Sequence, residues 1–245
     1  MEKQYSADNY YAVLEKMHAY LKPKTYVEIG VRHGESFALA TTASHSVAID
    51  PEPNIAMDLP SGAQIFKMTS DEFFNKHDLS TILNGQKLDL AFIDGMHLFE
   101  FALRDFLNLE RFCNPNSVIL VHDCYPIDEV TSNRERTTQT WSGDVWKLIV
   151  CLKKYRPELQ ICCIDVPPTG LAVISNLNNN SNIISDQFTK IYEEYTPFSF
   201  RNIAKNKPTH LNRIENDWSR IQYFLEGKKP NIVDRMIRNL LLKIA

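Results

Sequence analysis

Short continuous apolar runs alternate along this chain with stretches whose apolar positions recur every three or four residues. The runs occupy 26–30, 46–50, 63–67, 88–94 and 117–123. Runs of Val, Ile and Leu of this length are how strands buried on both faces read. Residues 8–21 carry Tyr11, Leu14, Met17, His18 and Leu21 at helical spacing, with Asp8 as the expected N-cap. Leu98, Ala102, Phe106, Leu109 and Phe112 place a further helix between the fourth and fifth runs. Alternation of this kind predicts a parallel sheet wound with helices on both faces.

The end of the sheet departs from that rule. Runs 159–165 and 171–175 are joined by Val166-Pro167-Pro168-Thr169-Gly170. Five residues cannot hold a crossover helix, so these two strands must pair antiparallel. The expected fold class is α/β: a doubly wound, mostly parallel seven-stranded sheet ending in an antiparallel hairpin, with a helical C-terminal extension. The expected division is a main domain over 1–180 and the extension over 181–245. Residues 177–186 are Asn-rich and aperiodic, and read as a loop. Ile232, Val233, Met236, Ile237, Leu240, Leu241 and Ile244 form an apolar stripe at the 3.6 period. It predicts a docking or homodimer helix; basic residues on its other face make membrane-surface contact the alternative.

Composition narrows the function. With 27 Lys and Arg against 30 Asp and Glu, the net charge is −3, which argues against a nucleic-acid binder. No run approaches the roughly 18 apolar residues that span a bilayer, and the N-terminus reads without a signal-peptide core. The five cysteines match no zinc spacing and lie mostly in apolar runs, as buried thiols of a cytoplasmic protein do.

The chemistry concentrates at strand ends. Tyr26-Val27-Glu28-Ile29-Gly30 is a strand followed by a turn, with Gly34 four residues on and Phe37, Leu39 and Ala40 starting an expected helix. Such a turn brings backbone N–H groups to a nucleotide-like ligand. Twenty residues after Gly30, Asp50 ends the second run, where it can accept from a ribose diol. The spacing E-x-G-x-x-x-G differs from the dinucleotide G-x-G-x-x-G. Glu28 would repel a pyrophosphate and suits a ligand carrying an ammonium group. These features point to S-adenosylmethionine.

Tyr26 to Ser36, Val47 to Asp50, Phe92 to His97 and Val118 to Asp123 together resemble class I S-adenosylmethionine-dependent methyltransferases. Phe92-Ile93-Asp94-Gly95-Met96-His97 and Val121-His122-Asp123 resemble the small O-methyltransferase-like group known as methyltransferase family 24. The resemblance covers about residues 24–175 and implies a Rossmann-like fold. It implies that Glu28 takes the methionine ammonium, that Gly30 and Gly34 let the backbone pass close to the cofactor, and that Asp50 holds the ribose. Ser70 and then Asp71 would contact adenine. The acceptor side would use Asp94 and His97, with two arrangements open. Asp94 and Asp123 share Mg²⁺ or another divalent cation, or His97 acts as general base with its ordinary pKa near 6.5. Catechol-type relatives carry a third metal ligand where this chain has Cys124, and a lysine where it has His97. His122 reads as a packed core residue.

Residues 124–142 read as a polar lid containing Arg134 and Arg136, with Asp144 capping the helix that follows. The expected activity is O-methylation of a small-molecule or saccharide hydroxyl. A nicotinamide-dependent oxidoreductase is disfavoured by the missing G-x-G-x-x-G and Tyr-x-x-x-Lys. A non-catalytic binding module is the other alternative.

Overall fold

The computed structural model describes residues 9–227. Helix α1 (Tyr10–Leu21) precedes β1 (Thr25–Ile29), β2 (His45–Asp50) and β3 (Ala63–Lys67). Then come α2 (Ser70–Lys76), α3 (Leu79–Ile82), β4 (Leu88–Ile93), α4 (Phe99–Glu110), β5 (Cys113–His122) and α5 (Lys147–Tyr155). The hairpin strands are β6 (Gln160–Asp165) and β7 (Leu171–Ser175). The extension holds α6 (Phe188–Tyr195), α7 (Arg201–Ala204), α8 (Lys207–His210), β8 (Arg213–Glu215) and α9 (Trp218–Leu225).

The sheet order is β3-β2-β1-β4-β5-β7-β6-β8. Strands β1 to β5 run parallel, and β7 lies antiparallel to both β5 and β6. The loop-length argument for the hairpin is thus borne out. The sheet has eight strands where seven were expected. The extra one, β8, pairs parallel with β6, and Arg213 meets Asp165 across that pair at 2.6 Å. Three residues are too few to show a period in sequence.

Two apolar layers sandwich the sheet. One packs α2 to α6 residues such as Phe73, Phe106, Leu148 and Ile191 against Val27, Ile93 and Ile119; the other packs Leu14, Met17 and Phe37 against Tyr26, Phe92 and Leu120. Ile184, Ile191, Tyr195, Ile203 and Leu211 of the extension lie in the first of these cores. The wholly buried Arg156 forks onto Glu110 at 2.8 Å and also bonds Glu158, closing the layer at the edge away from the strand C-termini. A buried arginine is tolerated because its donors are matched by carboxylates.

Three local expectations change. Asn9 caps α1 by accepting from Ala12 N at 3.2 Å, where Asp8, outside the described residues, was expected. The helix expected after Gly34 is a single 3-10 turn, Phe37–Leu39. The stripe at 232–244 lies outside the described residues. No described helix is long and apolar enough to cross a membrane, and the five cysteines are free and buried.

Candidate functional site

The C-terminal edge of the central strands gathers most of the residues singled out in the sequence. On β1, Glu28 is fully buried; its Oε2 accepts from the Tyr26 hydroxyl at 2.6 Å and its Oε1 from Ser36. Burial pushes its carboxyl up to about 8, against the pull of the Ser36 and Tyr26 hydrogen bonds. Gly30 donates to the Ile49 carbonyl at 2.9 Å with φ of +88°, and a Cβ there would collide with the Asp94 carbonyl. Its missing side chain therefore lets the tails of β1 and β4 cross. Gly34 shares φ of +88°, but a Cβ there would meet only Ile55 and Leu59 at ordinary contact distances.

At the end of β2, Asp50 Oδ2 accepts from Arg32 N and Oδ1 from Glu52 N, each at 2.8 Å. Each oxygen keeps lone-pair capacity, as holding a diol requires. After β3, Thr69 caps α2 through a reciprocal box with Glu72, and Ser70 is the first helical residue. Asp71 forms a two-pronged pair with Arg104, both arms 2.9 Å. Ser70 lies beside Asp105, a carboxyl of α4 that burial pushes up to about 7 and whose Oδ1 has no partner.

The ends of β4 and β5 form the acceptor side. His97 Nδ1 lies 3.0 Å from the Trp141 carbonyl and 3.0 Å from Asp123 Oδ2, while Nε2 lies 3.7 Å from Asp94 Oδ1. Only acceptors surround Nδ1, so in the neutral ring Nδ1 carries the proton and Nε2 is the nitrogen that titrates. Burial opposes the charge on His97, but Asp123 and Asp94 outweigh it and raise its pKa. His122 Nδ1 lies 3.0 Å from Asp94 Oδ1 and 3.4 Å from Asp123 Oδ2. Burial again opposes the charge, and the two carboxylates carry that imidazole up to about 10. Asp123 has φ of +61°, accepts from Thr169, and is held well below the usual carboxylate range by His122 and His97 against the cost of burial. Ligand atoms of Asp94, His97 and Asp123 all lie within 4.8 Å of one another, as a cation site needs. Cys124 stays out of that set: its buried Sγ faces the His122 carbonyl at 3.5 Å, and burial raises its pKa. His97 is the third potential ligand of that group.

Residues 123–146 contain no helix or strand, in keeping with the lid expected there. Arg134 is engaged, pairing with Glu100 at 2.6 Å and Asp144 at 2.8 Å. Asp144 does cap a helix, but it is α4: its Oδ1 accepts from Phe99 N at 2.7 Å. The extension reaches the same segment, with Lys207 donating to the Pro126 carbonyl at 2.7 Å and Arg201 meeting Glu129 at 2.8 Å.

Sequence reasoning missed three members. His122 is packed, as read, yet it also sits between both carboxylates. Tyr10 stacks on the His122 ring at 4.0 Å and on Tyr11 at 4.2 Å. Asp105 borders the same small cavity as Asp94, His97, His122 and Asp123. An acid ending a strand run signals Asp94 and Asp123, but no local pattern marks Tyr10 or Asp105.

A parallel sheet closed by an antiparallel β7, with acids ending β2 and β4 and a glycine turn after β1, defines the Rossmann-like class I methyltransferase fold. Residues 27–124 match a family model described as a methyltransferase domain. Cofactor-bound Rv0187 from MTB is similar in fold: TM-score 0.52, 16% identity, 72% of this chain and 83% of that one covered. The O-methyltransferase TomG from Streptomyces achromogenes, solved with SAM, gives TM-score 0.52 and 14% identity, covering 69% and 80%. The SAH-bound methyltransferase PaMTH1 of Podospora anserina gives TM-score 0.51 and 15% identity, covering 69% and 78%. At these identities the likeness speaks for the fold alone. No curated protein sequence matches the chain significantly.

Proposed function

We propose that this methyltransferase moves a methyl group from S-adenosylmethionine to a hydroxyl oxygen of a small-molecule or saccharide acceptor. The observation that carries the reading is the pairing of two edges. Glu28 and Asp50 stand at the ends of β1 and β2, and the His97, Asp94 and Asp123 cluster stands at β4 and β5. Asp50 would accept from the ribose hydroxyls, and Glu28, its raised pKa pulled down again by a neighbouring cation, would face the methionine ammonium as a carboxylate. Bound S-adenosylmethionine supplies an electrophilic methyl on a positive sulfur. His97 Nε2 takes the acceptor proton, the oxygen forms its bond to the methyl carbon, and the carbon–sulfur electron pair returns to sulfur. Asp123 and the Trp141 carbonyl hold His97 in the tautomer that leaves Nε2 free, and Asp94 stabilises the imidazolium that forms. Positioning of this kind can supply roughly 7–11 kcal/mol.

The short distances among Asp94, His97 and Asp123 favour a second reading, in which they hold a divalent cation. Such an ion would lower the pKa of a bound hydroxyl and occupy His97. His122 Nδ1, 3.0 Å from Asp94 and 3.4 Å from Asp123, can balance their charge in the absence of an ion, which keeps the base reading open. Calorimetry with S-adenosylhomocysteine and with NAD tests the cofactor; heat with NAD alone would overturn the assignment. Adenosylhomocysteine release with catechol and with methyl glucoside, each with Mg²⁺ or with EDTA, tests the chemistry. Turnover that persists in EDTA supports His97 as base; turnover abolished by EDTA and restored by Mg²⁺ transfers the role to the cation.

A further inference from the structure

The segment before α5 does more than span the gap from β5, because it closes onto the backbone and ring of His97 at four points. The Trp141 indole stacks on the imidazole at 5.1 Å and 13° between planes. The Trp141 carbonyl faces Nδ1 at 3.0 Å. Gly143, at φ of +56°, packs so closely on the His97 carbonyl that any Cβ would strike it, and Asp144 N donates to that carbonyl at 3.2 Å. Asp144 then caps Phe99, two residues further on, and ties to Arg134, which itself holds Glu100. The Trp141 indole is anchored in turn by its Nε1 donating to the Asn133 carbonyl at 2.7 Å.

From this we infer that Trp141 and Gly143 are positioning residues that fix the orientation and tautomer of His97. The inference rests on the reading of His97 as the base, since only then does the direction of Nε2 matter. The physical reason is geometric. An imidazole turned about its Cβ–Cγ bond exchanges the places of its two nitrogens and carbons, and a solvent-facing ring samples both. Stacking removes the ring's freedom to tip, and the carbonyl at Nδ1 rewards one face of the two-fold turn. Gly143 is what permits the approach: with a side chain there, the strand of contacts would have to lift off the 97–99 turn. A displacement of about 1 Å in a positioned group can cost about 100-fold in rate.

The deciding measurement is the ¹⁵N ring shifts of His97 in the full chain, assigned by their loss in His97→Gln and read at a pH above the imidazole's titration. The wild type should show a protonated Nδ1 and a bare Nε2. Trp141→Phe keeps a stacking ring and should leave that pattern in place. Trp141→Ala and Gly143→Ala should give averaged shifts, with about 100-fold slower turnover of the catechol or methyl glucoside probe and unchanged adenosylhomocysteine affinity. If Gly143→Ala does not fold, Trp141→Ala decides alone. Wild-type shifts retained in Trp141→Ala, or a protonated Nε2 in the wild type, overturn the inference. Absence of adenosylhomocysteine binding by the wild type would instead sink the methyltransferase reading, leaving the ring shifts to report on the clamp.

Discussion

The two halves of the site are built on different physics. On the β1–β2 side each carboxylate is satisfied by neutral donors: two hydroxyls for Glu28 and two backbone amides for Asp50. On the β4–β5 side the carboxylates lie against imidazoles, Asp94 and Asp123 facing His122 and His97, with the Thr169 hydroxyl also donating to Asp123. Neutral donors fix where the oxygens of these carboxyls lie, which suits holding a cofactor. Imidazoles lend the second half protons that can leave, which suits chemistry on an acceptor. Gly30 is where the halves touch, since its backbone passes against Asp94.

The comparison can be broken most sharply at His97. His97→Gln should cut transfer to the oxygen acceptor by about 10²–10⁴-fold, while calorimetry finds adenosylhomocysteine affinity intact. Loss of both together would mean the halves are not separable. Next in size is Gly30→Ala, which forces β1 and β4 apart and should cost about 4 kcal/mol or more of stability. Gly34→Ala, with the same φ but only ordinary contacts to Ile55 and Leu59, should cost about 1–2 kcal/mol; chemical denaturation of the pair measures the difference.

His18 gives a pH test beneath the cofactor half. It is buried with both ring nitrogens unpartnered, and burial lowers its pKa from 6.5 to about 4. A pKa depressed in the fold contributes stability that is present above 6.5 and is lost as pH falls through about 4. His18→Leu should remove up to about 3 kcal/mol of acid destabilisation across that window. Denaturation midpoints that keep their wild-type slope with pH would contradict this. Glu28 runs the other way. Its raised pKa adds stability at low pH that is lost as pH rises from 4.5 through about 8; that contribution is common to both proteins and cancels when the His18 variant is compared with the wild type. Asp50→Ala is expected to weaken adenosylhomocysteine binding by about 10–100-fold, with little change in turnover at saturating cofactor. A turnover loss as deep as that of His97→Gln would erase the proposed division.

What the sequence revealed followed locality. Strands β1 to β7 announce themselves as runs of Val, Ile and Leu, and the hairpin followed from counting five residues between two of them. Acids ending those runs drew attention to Asp50, Asp94 and Asp123 before their neighbours were known. What stayed hidden depends on partners distant in the chain. Asp144 looked like the cap of its own helix, yet it caps α4 at Phe99, forty-five residues away. Arg134 read only as part of a polar lid, and it is held by Glu100 and Asp144. His122 looked like a core residue because nothing beside it says that Asp94 lies across the strand. The turn after Gly34 resembled a helix start, but three residues of 3-10 geometry suffice to lead the chain into β2.

The domain match ends at residue 124, one position past Asp123, and beyond it the lid is braced from outside by Lys207 and Arg201. Under the proposed function, substitutions at Lys207 and Arg201 are expected to change how the 124–142 segment is held beside the acceptor side, with the Glu28 and Asp50 contacts left in place.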